Sequence, residues 1–134
     1  MVRLKKLFIV TILLILSFSN LCKSKETFLL SDKAEINVLG FGSDTHGAFC
    51  EDFKLSHEQV KLFFKKAKQK TYSQIHQEFD WLPCFAYGNI IDNFKKYKWE
   101  IRLIGIGIIT TESGSTIWVG CKNCEEIFSP HQSK

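Results

Sequence analysis

Apolar and polar residues alternate with two different periods along this chain, and the switch between them outlines the fold. The clearest helical period lies in "LSHEQVKLFFKKAKQK", where Val60, Phe63, Phe64 and Ala67 recur at i, i+3, i+4 and i+7. Ser56 followed by Gln59 forms a capping box, and Leu55 and Val60 are placed for a hydrophobic staple. The pattern predicts one amphipathic helix over 56–69. The lysines around its apolar stripe (61, 65, 66, 68 and 70) read as its solvated face.

A period of two marks the strands. "AEINVLGFG" (34–42) predicts a short strand, and "LPCFAYGNII" (82–91), "KYKWEIRLIGIGIIT" (96–110) and "GSTIWVGC" (114–121) predict three more. "DNFKK" and "TESG" supply the turns between those three. Residues 25–33 read as a loosely held lead-in, and "GSDTHGAFCEDF" reads as a loop shaped by Gly40, Gly42 and Gly47. The order β-α-β-β-β predicts an α+β fold, a single helix packed on an antiparallel sheet. In architecture that order resembles cystatin-like folds. No cystatin inhibitory motif accompanies it, so the resemblance implies no function.

The middle strand separates two faces. Tyr97, Trp99, Ile101 and Leu103 share one parity; Lys98, Glu100 and Arg102 share the other, with Ile104 and Ile106 continuing it. A sheet carrying one helix leaves a side uncovered. Lys98, Glu100, Arg102, Ile104 and Ile106 are therefore the candidate binding surface, and Ile108 lies on the same parity. Trp81, Trp99 and Trp118 are expected in the core.

The first 24 residues change the reading of composition. Arg3, Lys5 and Lys6 precede an apolar run from Leu7 to Leu16, and small and polar residues follow, the order of a secretory signal peptide. Cleavage is expected after Ser24, with Ser17-Phe18-Ser19 as a second site. The run is short of the ~20 apolar residues of a membrane anchor, and Leu21 before Cys22 does not suit a lipoprotein signal. Residues 25–134 are then one small exported domain, periplasmic or secreted, with no stable membrane span. Four of the 18 basic residues (Arg3, Lys5, Lys6, Lys23) lie in the first 24 positions, which hold no acid, leaving 14 basic against 14 acidic. A nucleic-acid binder needs a basic excess to release counterions from phosphate, so that partner class is not expected.

Cys50, Cys84, Cys121 and Cys124 remain after removal of the signal, an even number in an exported chain. Two disulfides among them are expected. In the predicted meander Cys84 and Cys121 share one end of the sheet with a strand between them. Two strand spacings are roughly 9.6 Å, beyond the roughly 7 Å that a disulfide spans between Cα atoms. Two pairings stay open: Cys84–Cys124 with Cys50–Cys121, or Cys50–Cys84 with Cys121–Cys124. The C-x-x-C at Cys121 and Cys124 also admits a rival reading as a thiol-redox or zinc site, the four cysteines (with His46 and His131) being the possible ligands. Zinc usually takes two local pairs, and here there is one. Asp44, His46 and Cys50 form the only polar cluster that a catalyst could use, and no catalytic motif accompanies them. The chain reads as a small non-catalytic binding protein of inhibitor, immunity or envelope type, with no cofactor and an unknown protein or envelope partner.

Overall fold

The computed structural model describes residues 3, 27–46 and 48–129; all of the expected export signal except Arg3, and His131 as well, lie outside them. Six strands form one antiparallel sheet: β1 (Glu35–Ser43), β2 (Lys68–Lys70), β3 (Cys84–Asp92), β4 (Lys95–Arg102), β5 (Ile106–Thr111) and β6 (Thr116–Gly120). Their spatial order is β1-β3-β4-β5-β6-β2. Among the described residues three α-helices accompany them: α1 (His57–Lys66), α2 (Tyr72–Glu78) and α3 (Glu125–Phe128). The α+β class stands. A single helix does not, because α2 and α3 are added to α1.

Helix α1 begins as its sequence dictates. Ser56 Oγ accepts from the Gln59 N–H at 3.2 Å, and Gln59 Oε1 accepts from the Ser56 N–H at 2.8 Å, so two orphan donors of the first turn are satisfied. Val60, Phe63 and Phe64 are buried on the inner face of the sheet. Phe63 reaches β5, where a Cβ at Gly107 would collide with its ring. Phe64 meets Trp99 of β4 edge-on at 6.2 Å between ring centres. The helix stops three residues before the expected end: Ala67 is already extended, and Lys68–Lys70 pair with Trp118–Gly120 of β6. The backbone groups on that side of β6 are thereby hydrogen-bonded.

From residue 27 onward the lead-in is held rather than loose. Phe28 packs edge-on against Phe64 and Tyr97, and Ser31 binds Asp92 through its N–H at 2.8 Å and its hydroxyl at 2.5 Å.

The expected strand over 96–110 is two strands folded on each other. β4 ends at Arg102, and β5 returns from Ile106 with Arg102 opposite it. Ile104 (φ 77°) and Gly105 (φ 100°) make the reversal, closed by the Gly105 N–H to the Arg102 carbonyl at 3.1 Å. Alternation alone does not reveal this turn, because Ile-Gly-Ile reads as strand on either side. Its consequence is that β3 and β6 are separated by two strands, not one. Gly40 and Gly42 do not shape a loop either. They belong to β1, where a Cβ would strike the rings of Tyr87 and Phe85.

The turn between β3 and β4 is a two-residue hairpin with Asn93 at φ 49° and Phe94 at φ 64°. Positive φ at both positions suits Asn-Gly and penalises Phe. Phe94 is 100% exposed, so its side chain recovers nothing by packing. Phe94→Gly is expected to raise the unfolding free energy by about 1 kcal/mol, read as an increased urea midpoint with an unchanged m-value; a lower midpoint would show that Phe94 is stabilised by contacts that the turn geometry does not reveal.

Candidate functional site

The site is the outer face of the sheet, opposite α1, and sequence parity decides which side chains stand on it. β3 contributes Phe85, Tyr87, Asn89 and Ile91 while Cys84, Ala86 and Ile90 point to the core. β4 contributes Lys96, Lys98, Glu100 and Arg102, and β5 contributes Ile106, Ile108 and Thr110. A bulge between Val38 and Gly40 pushes Leu39 out of register in β1.

One end of this face is covered. The sequence T-Y-S-Q caps α2, with the Gln74 N–H on Thr71 Oγ1 at 3.2 Å and the Thr71 N–H on Gln74 Oε1 at 2.9 Å. That helix lies against β6 and buries Ile75 completely. Phe79 follows it and covers Gly120, the residue opposite Ile106. Ile106 is consequently fully buried in a small outer-face core, apart from the main one. It is not part of an exposed surface.

Arg102 also departs from expectation: it is 5% exposed. Its guanidinium sits 4.0 Å from the Trp81 ring centre and 5.2 Å from that of Phe85. Nη1 and Nη2 donate to the two Asp44 carboxylate oxygens at 2.6 and 3.1 Å, and Nη1 also donates to the Leu82 carbonyl at 3.1 Å. Nε lies 2.8 Å from Glu100 Oε1. The Trp81 indole N–H donates to Asp44 as well, at 3.2 Å. An arginine in this position cannot face water; it joins β4 to the chain after β1 and the chain before β3. The planar, five-donor guanidinium suits that task where an ammonium would not.

The two carboxylates respond in opposite directions. The Arg102 hydrogen bonds hold Asp44 below its ordinary value, against a desolvation penalty and with help from Trp81. Burial pushes Glu100 above its ordinary value, only partly offset by Arg102 and reinforced by repulsion from Asp44. Of the expected surface, Lys98 is exposed, Glu100 is half-buried and Ile104 is exposed at the β4–β5 turn. Lys98 and Glu100 thus stand on the open part of the face, whereas Ile104 lies at its end beside Cys121 and Cys124.

Beyond Arg102 the face is open and rich in rings. Trp81 is 44% exposed and Tyr87 41%. Tyr72 and His76 of α2 continue the strip, with Tyr72 5.1 Å from Trp118 and His76 stacked near Trp81 at 6.1 Å. Trp99 alone of the three tryptophans is in the main core, because Trp118 lies on the outer parity of β6 and Trp81 in the connection before β3. Two adjoining hollows of about 470 and 610 Å³ run across β3, β4 and β5 and share Asn89, Lys98 and Thr110.

The cysteines lie elsewhere. Cys50 pairs with Cys84 (Cα–Cα 5.2 Å), and Cys121 pairs with Cys124 (5.7 Å). The second of the two open pairings is the one formed. The first bond ties the loop after β1 to the start of β3, a 34-residue separation, and contributes roughly 2–4 kcal/mol by restricting the unfolded chain. Cys121 and Cys124 are both buried, and the Cys121 N–H donates to the Gly105 carbonyl at 2.9 Å. The structure does not gather the four sulfurs at one point, and among the described residues no cluster of three His, Cys, Asp or Glu side chains is placed to hold a metal. Cys50 is bonded and so is not a free nucleophile beside His46. Among the described residues no helix is long and apolar enough to cross a membrane. A scan against models of known families and searches of curated proteins and solved structures find no match to this chain.

Glu100 generates a pH prediction. Its folded pKa is raised, so ionisation costs the folded state stability as pH rises through the unfolded value near 4.5 and on to the folded one. Glu100→Gln removes that cost. The stability of the variant relative to the parent is expected to be more favourable at pH 7 than at pH 4, measured by urea unfolding. The reverse trend would show that attraction to Arg102 outweighs burial.

Proposed function

We propose that this chain is a small exported, disulfide-stabilised binding protein without catalytic activity, and that it engages a protein partner in its compartment through the open part of the outer sheet face. The observation that carries this reading is the concentration of exposed large side chains there. Leu39, Tyr87 and Ile91 stand around Lys98, with Trp81 at the margin over Arg102, on a domain that has an adequate core elsewhere. Aromatic rings next to a few polar groups, fixed on strands, are what a protein interface uses for its central contacts. Exposed apolar groups gathered on one surface of a small domain mark such sites.

An inhibitor, an immunity-type protein or an envelope factor all fit this description. The likeness to cystatin-like folds belongs to the same reading and concerns architecture alone, a longer helix laid across an antiparallel sheet. Nucleic acid is not the partner proposed, since residues 25–134 carry equal numbers of basic and acidic side chains. The burial of Cys121 and Cys124 supports a structural use of that pair over the rival redox or zinc reading.

Two measurements test the proposal. The intact mass of protein exported by its cell and purified without reductant is expected to match residues 25–134 less four hydrogens, with no alkylation and no metal in a native spectrum. Alkylation at Cys121 and Cys124, or one tightly held zinc, would transfer the function to that pair. A photo-crosslinking residue placed at Tyr87 or Lys98 is expected to capture one protein in the exporting cell, whereas the same probe at Lys61 on α1 captures none. Equal labelling from all three positions would remove the outer face from consideration.

A further inference from the structure

We propose that β1 is an open pairing edge and that it takes the β1 strand of a second copy of this chain, antiparallel, across a two-fold axis. This edge borders the outer face and shares Leu39 with it, but the second copy pairs along the strand rather than on the face. The sheet has two edges, and the chain treats them differently. β2 is three residues long and reads Lys-Gln-Lys, with Lys70 held to Glu78 of α2 at 2.7 Å. Short length and lysines are the devices by which an edge resists pairing. β1 has neither. It runs for nine residues with one charge, Glu35, at its start. Its ladder bonds go to β3 alone, and among the described residues no backbone partner stands on its other side.

The side chains of β1 fit a second copy better than they fit solvent. Leu39 is 60% exposed, and Phe41 is exposed as well. Phe41 lies on the inner parity, opposite Ala86, and Ile36 lies on the same parity, opposite Ile90. Matching inner face to inner face about an axis between Val38 and Leu39 sets Ile36 opposite Phe41 of the second copy. Asn37 then meets Gly40, and Glu35 meets Gly42. An apolar pair forms twice, the polar side chains face glycines, and the two Glu35 carboxylates go to opposite ends. A parallel arrangement would set Glu35 beside Glu35, which is unfavourable. The Leu39 bulge is the one feature that opposes pairing, and in this register it sits at the axis, leaving a regular run on either side.

Sedimentation equilibrium over a concentration series reaching about 1 mM tests this, with hydrogen exchange of β1 amides measured at both ends of the series. The expected result is a monomer–dimer equilibrium in which β1 amides become protected as dimer forms. Phe41→Lys, which gives β1 the residue that guards β2, is expected to weaken the dimer at least tenfold. Lys65→Glu on the solvated face of α1 is expected to leave it unchanged. A monomer throughout would overturn the proposal, as would a dimer whose β1 amides stay unprotected, which would point to another interface or another strand donor. The exchange measurement on the parent protein decides the matter even if Phe41→Lys proves too unstable to purify.

Discussion

A six-stranded sheet has two faces and two edges to cover, and the described residues supply one ten-residue helix, two shorter ones and a single 3-10 turn for the purpose. The rest of the structure follows from that shortage. α1 covers the inner face with Val60, Phe63 and Phe64, assisted by Phe28 from the lead-in and Phe128 from α3. α2 covers only the β6 end of the outer face, where it buries Ile75. Between the covered and the open halves sits Arg102, enclosed by rings and carboxylates. A buried charge is tolerated only when it is paired and bonded: Nη1 and Nη2 donate to Asp44 and the Leu82 carbonyl, and Nε is held by the charge of Glu100 without hydrogen-bond geometry. The guanidinium therefore does two things at once: it closes the small outer core and holds Trp81 and Phe85 at the margin of the open surface.

Much of this was legible. The capping box at Ser56 and Gln59, the stripe at Val60, Phe63 and Phe64, the hairpin near Phe94 and the first strand all follow from local chemistry. What escaped was the structure that depends on contacts between distant residues. Lys68–Lys70 continue a helical pattern by propensity, yet β6 needs a neighbour and draws them into a strand. Gly105 and Gly107 suggest a bulge, a bend or a close approach without fixing a full reversal there, since β-branched Ile104 is a poor candidate for positive φ. α2 carried a signal that went unused: Thr71 and Gln74 repeat the S/T-x-x-Q box that marked α1.

The candidate surface was half legible for a related reason. Parity correctly groups Lys98, Glu100 and Arg102 on one face because alternation is a property of the strand itself, and Ile106 joins them because the turn sets it opposite Arg102. Whether a given position on that face is wet depends on what crosses it. Ile106 and Arg102 are covered by segments far away in sequence, Phe79 with α2 and Asp44 with Trp81, and nothing local to β4 or β5 announces them. The aromatic content of the face was missed for the converse reason. Side-chain type alone places Trp81 and Trp118 in the core, whereas only Trp99 is in it.

The disulfides show how a topological error can still lead to the right exclusion. The sequence pattern keeps Cys84 and Cys121 apart by placing one strand between them; two strands lie there. With the β4–β5 hairpin in place the separation grows to three strand spacings, roughly 14 Å, and Cys84 must find its partner off the sheet. Cys50 meets that need, and in doing so it clamps the loop that carries Asp44. The same loop delivers Asp44 to Arg102. A covalent bond on the inner face and an ion pair on the outer one therefore hold opposite sides of a single connection. With Phe53 buried in the main core as well, the described part of this Gly-, Ser- and Asp-rich segment is anchored on both faces.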